Sequence, residues 1–99
     1  MNKALQNLGL CKRANKLISG EEQVLERIKK NTTSLVLLAS DAGNNTKKRV
    51  TDKASTYHVE IINIYTTDEL NQAIGTKNRK VIAITDSNFV KLIKKQQDK

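Results

Sequence analysis

The chain has no proline or tryptophan, one cysteine, one histidine and three aromatic side chains in 99 residues. Each scarcity removes a class of protein. Cys11 has no second thiol to pair with and nothing beside it at metal-ligand spacing. An internal disulfide is therefore excluded, no metal is expected, and a reducing, cytoplasmic setting is expected. His58 is the lone imidazole, with no Ser, Cys or carboxylate placed in the sequence to work with it, so a nucleophile–base pair and an enzyme are not expected. Cys11 reads as a small core residue on an apolar stripe, and His58 as a surface or strand-edge histidine. Gly9, Gly20, Gly43 and Gly75 are isolated, and neither G-x-G-x-x-G nor G-x-x-x-x-G-K-S/T occurs, so neither a nucleotide cofactor nor a small-molecule substrate is expected. Tyr57, Tyr65 and Phe89 are spread out, which argues against a platform for stacking single-stranded bases. The longest wholly apolar run, Leu35 to Ala39, is five residues, against the roughly 20 of a membrane-crossing helix. Met1-Asn2-Lys3 leads into mixed polar and apolar sequence, so no secretory signal is expected.

What the chain has in excess is positive charge: 18 Lys and Arg against 10 Asp and Glu, a formal +8. Such an excess points to a polyanionic partner. The cations fall into groups: Lys12, Arg13 and Lys16; Arg27, Lys29 and Lys30; Lys47, Lys48, Arg49 and Lys53; Lys77, Arg79 and Lys80; and Lys91, Lys94, Lys95 and Lys99. The last group reads as a solvated helix face. Three others sit at junctions between elements, where binding surfaces concentrate: the end of a first helix, the start of a third, and the loop after Gly75. With strands between the helices, a DNA-reading helix-turn-helix is disfavoured. Structured RNA, read by shape, backbone and a few exposed base edges, fits better.

A chain of this length buries roughly 60 to 65% of its unfolded surface, so residues 1–99 are read as one domain. Apolar spacing at Ala4, Leu5, Leu8 and Cys11, with Ala14 next in the series, predicts a helix over 2–14. Leu17-Ile18 is a brief apolar step. Ser19 with Glu22 has capping-box spacing and predicts a second helix carrying Val24, Leu25 and Ile28 inward. Leu35–Ala39 reads as a strand covered on both faces. A loop over 40–46 lets Asn45 or Thr46 cap a third helix through Val50, Ala54 and Tyr57. A strand over 61–65 follows, then the capping box Thr66-x-x-Glu69, a short helix with Leu70, Ala73 and Ile74, and a stop at Gly75. Val81–Thr85 is the last strand, before a helix capped by Asp86 or Ser87 that buries Phe89, Leu92 and Ile93. Asp41 and Asp86 both read as caps for the helices that follow them. Alternating helices and strands imply an α/β fold, a three-layer α/β/α sandwich with a mixed sheet.

The segment Leu8-Gly9-Leu10-Cys11-Lys12-Arg13-Ala14-Asn15-Lys16-Leu17-Ile18-Ser19-Gly20-Glu21-Glu22-Gln23-Val24 resembles the kink-turn-binding ribosomal proteins known as L-seven-Ae and L-thirty-e, and more closely their bacterial YlxQ-type members. The likeness continues through Leu35 to Ala42, Asn45 to Lys48, Glu69-Leu70, Ala73 to Gly75 and Val81 to Asp86. It implies the same sandwich around a four-stranded mixed sheet. It also implies RNA recognition through the strand-to-helix turn at Gly20, the helix start after it, and the late loop around Gly75. With the charge, the resemblance leads to the expectation that Gly20, Glu21, Glu22 and Gln23 make base contacts. Lys12, Arg13, Lys16, Lys47, Lys48 and Lys77 hold phosphates, and Thr76 belongs to the late loop. Only Gly20 and Gln23 match the pattern of archaeal and eukaryotic members at this turn. Glu21, Glu22 and Glu26 stand where those proteins are uncharged or basic, and carboxylates oppose the field that attracts phosphates. Glu22 has two readings: it accepts a base amino proton, or it only completes the cap of Ser19.

The leading expectation is thus a small cytoplasmic protein of ribosomal type whose partner is structured RNA, with ribosomal RNA among the candidates; a monomer is assumed. The alternative is a protein-interaction module docking on a ribosomal or transcription component through its acidic turn.

Overall fold

The computed structural model describes residues 2–97. Lys99, assigned above to the last basic group, lies outside the described residues.

Asn2 opens α1 (Lys3–Arg13), its side-chain oxygen accepting from the Leu5 amide at 2.8 Å. One stripe of this helix buries Ala4, Leu5, Leu8 and Cys11, the spacing expected, whereas Ala14 is exposed. The apolar step that follows is a strand, β1 (Leu17–Ser19). Next come α2 (Glu21–Lys29), β2 (Leu35–Leu38), α3 (Asn44–Thr56), β3 (Glu60–Ile62), α4 (Thr67–Ile74), β4 (Val81–Ile84) and α5 (Ser87–Gln97).

The strands lie in the order β1-β4-β2-β3, with β4 antiparallel to both its neighbours and β3 parallel to β2, a mixed sheet. Every residue of the central strands β2 and β4 is buried. Unbroken apolar sequence is what a strand needs when helices cover both its faces. On one side α2 packs beside α3; on the other α1 packs against α4 and α5. That arrangement is the three-layer sandwich. At the crossing of α1 and α4 the backbones meet closely, since a β-carbon at Gly9 would stand 2.8 Å from the Ala73 carbonyl oxygen.

Helix α4 has the ends its sequence specifies. Thr66 Oγ1 accepts from the Glu69 amide at 3.2 Å while Glu69 Oε1 accepts from the Thr66 amide at 2.9 Å. Gly75 closes the helix in the left-handed region at φ 72°.

Tertiary contacts change other ends. Ser19 does not cap α2: it is paired opposite Ile82 in the sheet, and the capping position passes to Gly20. The box expected between Ser19 and Glu22 is therefore absent. Helix α3 starts earlier than its Asn and Thr suggested, from Gly43, and Thr46 bonds elsewhere. Strand β3 spans Glu60–Ile62, short of the expected 61–65, and Ile64 is 63% exposed. Asp41 caps the start of α4 rather than α3, accepting from the Thr67 amide at 2.9 Å and hydroxyl at 2.6 Å. Asp86 does cap the helix after it, accepting from the Asn88 and Phe89 amides at 2.8 and 3.1 Å. Among the described residues of α5, Val90 and Ile93 are buried and Phe89 packs half-buried against the core, while Leu92 is exposed.

The strand directions have one consequence for function. The C-terminal ends of β1, β2 and β3 and the N-terminal end of β4 all lie at the same pole of the sheet. The turns at Gly20, 39–43, 63–66 and 75–80 therefore converge there.

Candidate nucleic-acid interface

Gly20 lies at this pole, directly after the edge strand β1. Its φ of 107° is a conformation that side chains other than hydrogen rarely adopt. There is also no room for one: a β-carbon here would stand 2.6 Å from Gln23 Oε1 and 2.8 Å from an Arg79 Nη. Glycine thus lets a guanidinium from the 75–80 loop and a carboxamide from the first turn of α2 close over the same backbone atom.

Gly20 and Gly43 cap α2 and α3 without a side-chain bond. Thr46 Oγ1 donates to Glu21 Oε1 at 2.8 Å, which ties the two helix starts together. Two helix N-termini with no side-chain caps therefore face one pole, and the dipole and open N–H groups of such ends favour anions. The carboxylates there are not loose. Arg49, from the second turn of α3, bonds Glu21 Oε2 through one guanidinium nitrogen and Glu22 Oε1 through the other, the latter at 3.1 Å. Glu21 is 23% exposed and has both oxygens occupied; Glu22 is 78% exposed and has one oxygen engaged.

The 75–80 loop is pinned by Asn71, a buried side chain on α4. Its Nδ2 donates to the carbonyls of Thr67 and Arg79 at 2.7 and 2.9 Å. Its Oδ1 accepts from the Thr76 hydroxyl at 2.7 Å and the Arg79 amide at 2.9 Å. Every bond the carboxamide can make is made. Lys80 Nζ donates to Thr67 Oγ1 at 3.2 Å, beside Asp41. The hydroxyl and amide of Thr67 and the charge of Lys80 hold the Asp41 carboxyl below its ordinary value.

The residues singled out in the sequence are distributed as follows. Gly20, Glu21, Glu22 and Gln23 form the first turn at this pole, with Lys47 and Lys48 in the facing start of α3. Lys48 pairs with Asp52 at 3.6 Å, both of them open to solvent. Thr76 is bound into the loop by Asn71, and Lys77 stands beside it, exposed. Lys12 and Arg13 line an open groove with Gln72 and Gly75, and Gln72 also borders the hollow that contains Thr76 and Lys77. A surface from the end of α1 to the 75–80 loop is thereby continuous. Lys16 adjoins the end of α1, its amide bonded to the Cys11 carbonyl at 2.9 Å, but stands away from the Gly20 turn. Its carbonyl accepts from the Thr85 amide at the opposite end of β4, roughly 13 Å from Gly20 at ~3.3 Å per strand residue.

Arg49, Arg79 and Asn71 were not singled out. The two arginines stood in the basic groups of the α3 start and the late loop, so charge at a junction was their signal. Only the packing of α3 on α2, and of the loop on β1, separates them from their neighbours.

Cys11 and His58 are far apart in character. Cys11 is fully buried, its thiol donates to the Lys16 carbonyl at 3.1 Å, and burial with the nearby charge of Asp86 pushes its pKa up to about 12. His58 is exposed in the turn before β3, at φ 59°. Among the described residues no helix is long and apolar enough to cross a membrane.

A mixed four-stranded sheet between helical layers, with glycine-capped helices and an Asn-pinned loop meeting at one pole, defines a small α/β/α domain with one polar end. The chain belongs to the ribosomal protein L7Ae/L30e/S12e/Gadd45 family, whose model matches residues 2–94, and within it to the bacterial YlxQ type. It is 44% identical over 92 residues to the RNA-binding protein YlxQ of Enterococcus faecium, covering 93% of this chain and 88% of that one. It is also 44% identical over 82 residues to the RNA-binding protein YlxQ of Bacillus subtilis strain 168, covering 83% and 82%. Among solved structures, a protein of unknown function from Bacillus halodurans superposes over 100% of both chains with a TM-score of 0.95 and 36% identity. A 15.5kD RNA-binding protein of Giardia lamblia shares the fold at a TM-score of 0.78 and 16% identity, over 95% of this chain and 84% of its own.

Proposed function

We propose that this protein is a small, non-catalytic RNA-binding protein that recognises structured RNA, of kink-turn or ribosomal type, at the Gly20 pole. The observation that carries the reading is the approach of Arg79 and Gln23 to the Gly20 backbone beside two helix N-termini without side-chain caps. The names of the YlxQ relatives support it. In this reading the turn reads bases. Gln23 has both a donor and acceptors, Arg79 supplies a donor fork, and Glu22 accepts an amino proton on the oxygen that Arg49 leaves open. The Ser19 box was the competing role for Glu22, and Ser19 is committed to the sheet. Lys47 and Lys48 on one side, and Lys77, Lys12 and Arg13 on the other, hold the backbone of a ligand that extends beyond the turn. Docking on a protein through the acidic turn has less support, because Glu21 is occupied inside the molecule.

Gel-shift titration of a kink-turn RNA and a panel of ribosomal RNA fragments at several salt concentrations tests the proposal. Binding should weaken linearly with the logarithm of salt concentration as phosphate contacts release counterions, and Arg79→Ala should weaken the preferred RNA more than the rest. Undetectable binding, or binding indifferent to salt, would overturn it. Partners captured from a lysate that survive nuclease treatment would favour the protein-docking reading instead.

A further inference from the structure

Two adjacent carboxylates at the start of a helix suit the helix dipole, yet they repel a phosphate that approaches the same N-terminus. Glu21 and Glu22 occupy that place at the pole assigned above to RNA. We infer that Arg49 is the positioning residue that makes this acidic turn compatible with RNA, by cancelling part of its charge and drawing Glu21 away from the ligand side. The inference rests on the RNA reading of the Gly20 pole.

The geometry is specific to arginine. Its planar fork places one nitrogen on Glu21 Oε2 and the other on Glu22 Oε1, which the single ammonium of a lysine cannot do in the same plane. Thr46 completes the arrangement by occupying Glu21 Oε1 at 2.8 Å. Glu21 is consequently only 23% exposed, whereas Glu22, held by one oxygen, stays 78% exposed at the surface. The clamp sorts two neighbouring, identical side chains into one that is mostly covered and one that is presented. Around it, the groove between α2 and α3 is lined by Glu26 and Asp52 as well as Lys29 and Lys53, so without Arg49 the lining of that groove carries no net positive charge. Ion pairs open to solvent to this degree contribute little to stability. The effect of the clamp therefore falls on the ligand more than on the fold.

The test is a gel shift with a kink-turn RNA, comparing Arg49→Ala made in the natural chain with the same change made in a Glu21→Gln/Glu22→Gln background. In the natural chain the substitution should weaken binding by roughly tenfold at low salt, and the loss should shrink as added salt screens the exposed carboxylates. In the Gln background the loss should be several-fold smaller, because there the change removes only the charge of the guanidinium and frees no carboxylate toward the ligand. A loss of equal size in both backgrounds would mean that Arg49 acts on RNA through its own charge or contact and not through the carboxylates, and would overturn the inference while leaving the RNA reading intact. Absence of a loss in the natural chain would overturn it as well. Should Arg49→Ala unfold, Arg49→Lys gives the same comparison, with an intermediate loss expected in the natural chain and none in the Gln background. A natural chain that binds none of the RNAs overturns the reading of the pole and this inference together.

Discussion

At the residue scale the informative positions are those whose neighbours are far away in sequence. Gly20 is required by its φ of 107° and by two polar side chains that close over it from residues 23 and 79. Gly20→Ala should destabilise the fold by about 1–3 kcal/mol through backbone strain, read as a lower urea midpoint, and should displace Arg79 so that RNA affinity falls further than stability accounts for. Cys11 illustrates the opposite case, a reactive residue type made inert. Its pKa lies near 12 in the folded protein against an ordinary 9.0. A thiol whose pKa is raised by folding contributes stability that is intact below pH 9 and is lost as pH rises from there toward 12. Urea unfolding across that range should show a steeper decline for the natural chain than for Cys11→Ala. At neutral pH the thiol should resist alkylation until the protein unfolds.

At the scale of elements, α4 shows how local and distant demands coincide. Thr66, Glu69 and Gly75 are legible as helix ends because their partners lie within one turn. Asn71 was not legible: an Asn within a helix ordinarily faces solvent, and its value here depends on the Thr76 and Arg79 groups that return beside it. Asn71→Ala should cost about 2–3 kcal/mol, since buried backbone groups lose their partners. It should also loosen the 75–80 loop, visible as faster amide exchange at Arg79 with α4 otherwise intact. Ser19 was misread for the same reason in reverse. Its spacing to Glu22 fits a cap, yet pairing with Ile82 makes it a strand residue, and a sheet hydrogen-bond ladder outweighs one capping contact. Thr46, likewise suited to a cap, gives its hydroxyl to Glu21.

For the whole molecule, the question is how a +8 surface is divided. Lys77, Lys12 and Arg13 border one continuous surface leading to the Gly20 pole, whereas Lys16 stands at the other end of β1. Lys77→Glu should therefore weaken a kink-turn RNA several-fold more than Lys16→Glu, and should lower the salt dependence by about one to two phosphate contacts where Lys16→Glu leaves it nearly unchanged. Titration of both variants at two salt concentrations checks this; equal effects would show that the ligand reaches both poles.

The sequence alone determined the layered α/β/α architecture, the buried runs of β2 and β4, the ends of α4 and the net positive charge. All of these follow from periodicity, local caps and net charge, which act over a few residues or over the chain as a sum. Only the tertiary structure decided that Leu17–Ser19 is an edge strand, that Asp41 caps a helix beginning at residue 67, and that Arg49 and Arg79 approach the Gly20 turn from different elements. Strand order and register bring those groups together across 26 to 67 residues of chain, and no local preference encodes a contact of that separation. The acidic turn, which reads in sequence as an obstacle to RNA, is in the folded protein a turn with its own counter-charge.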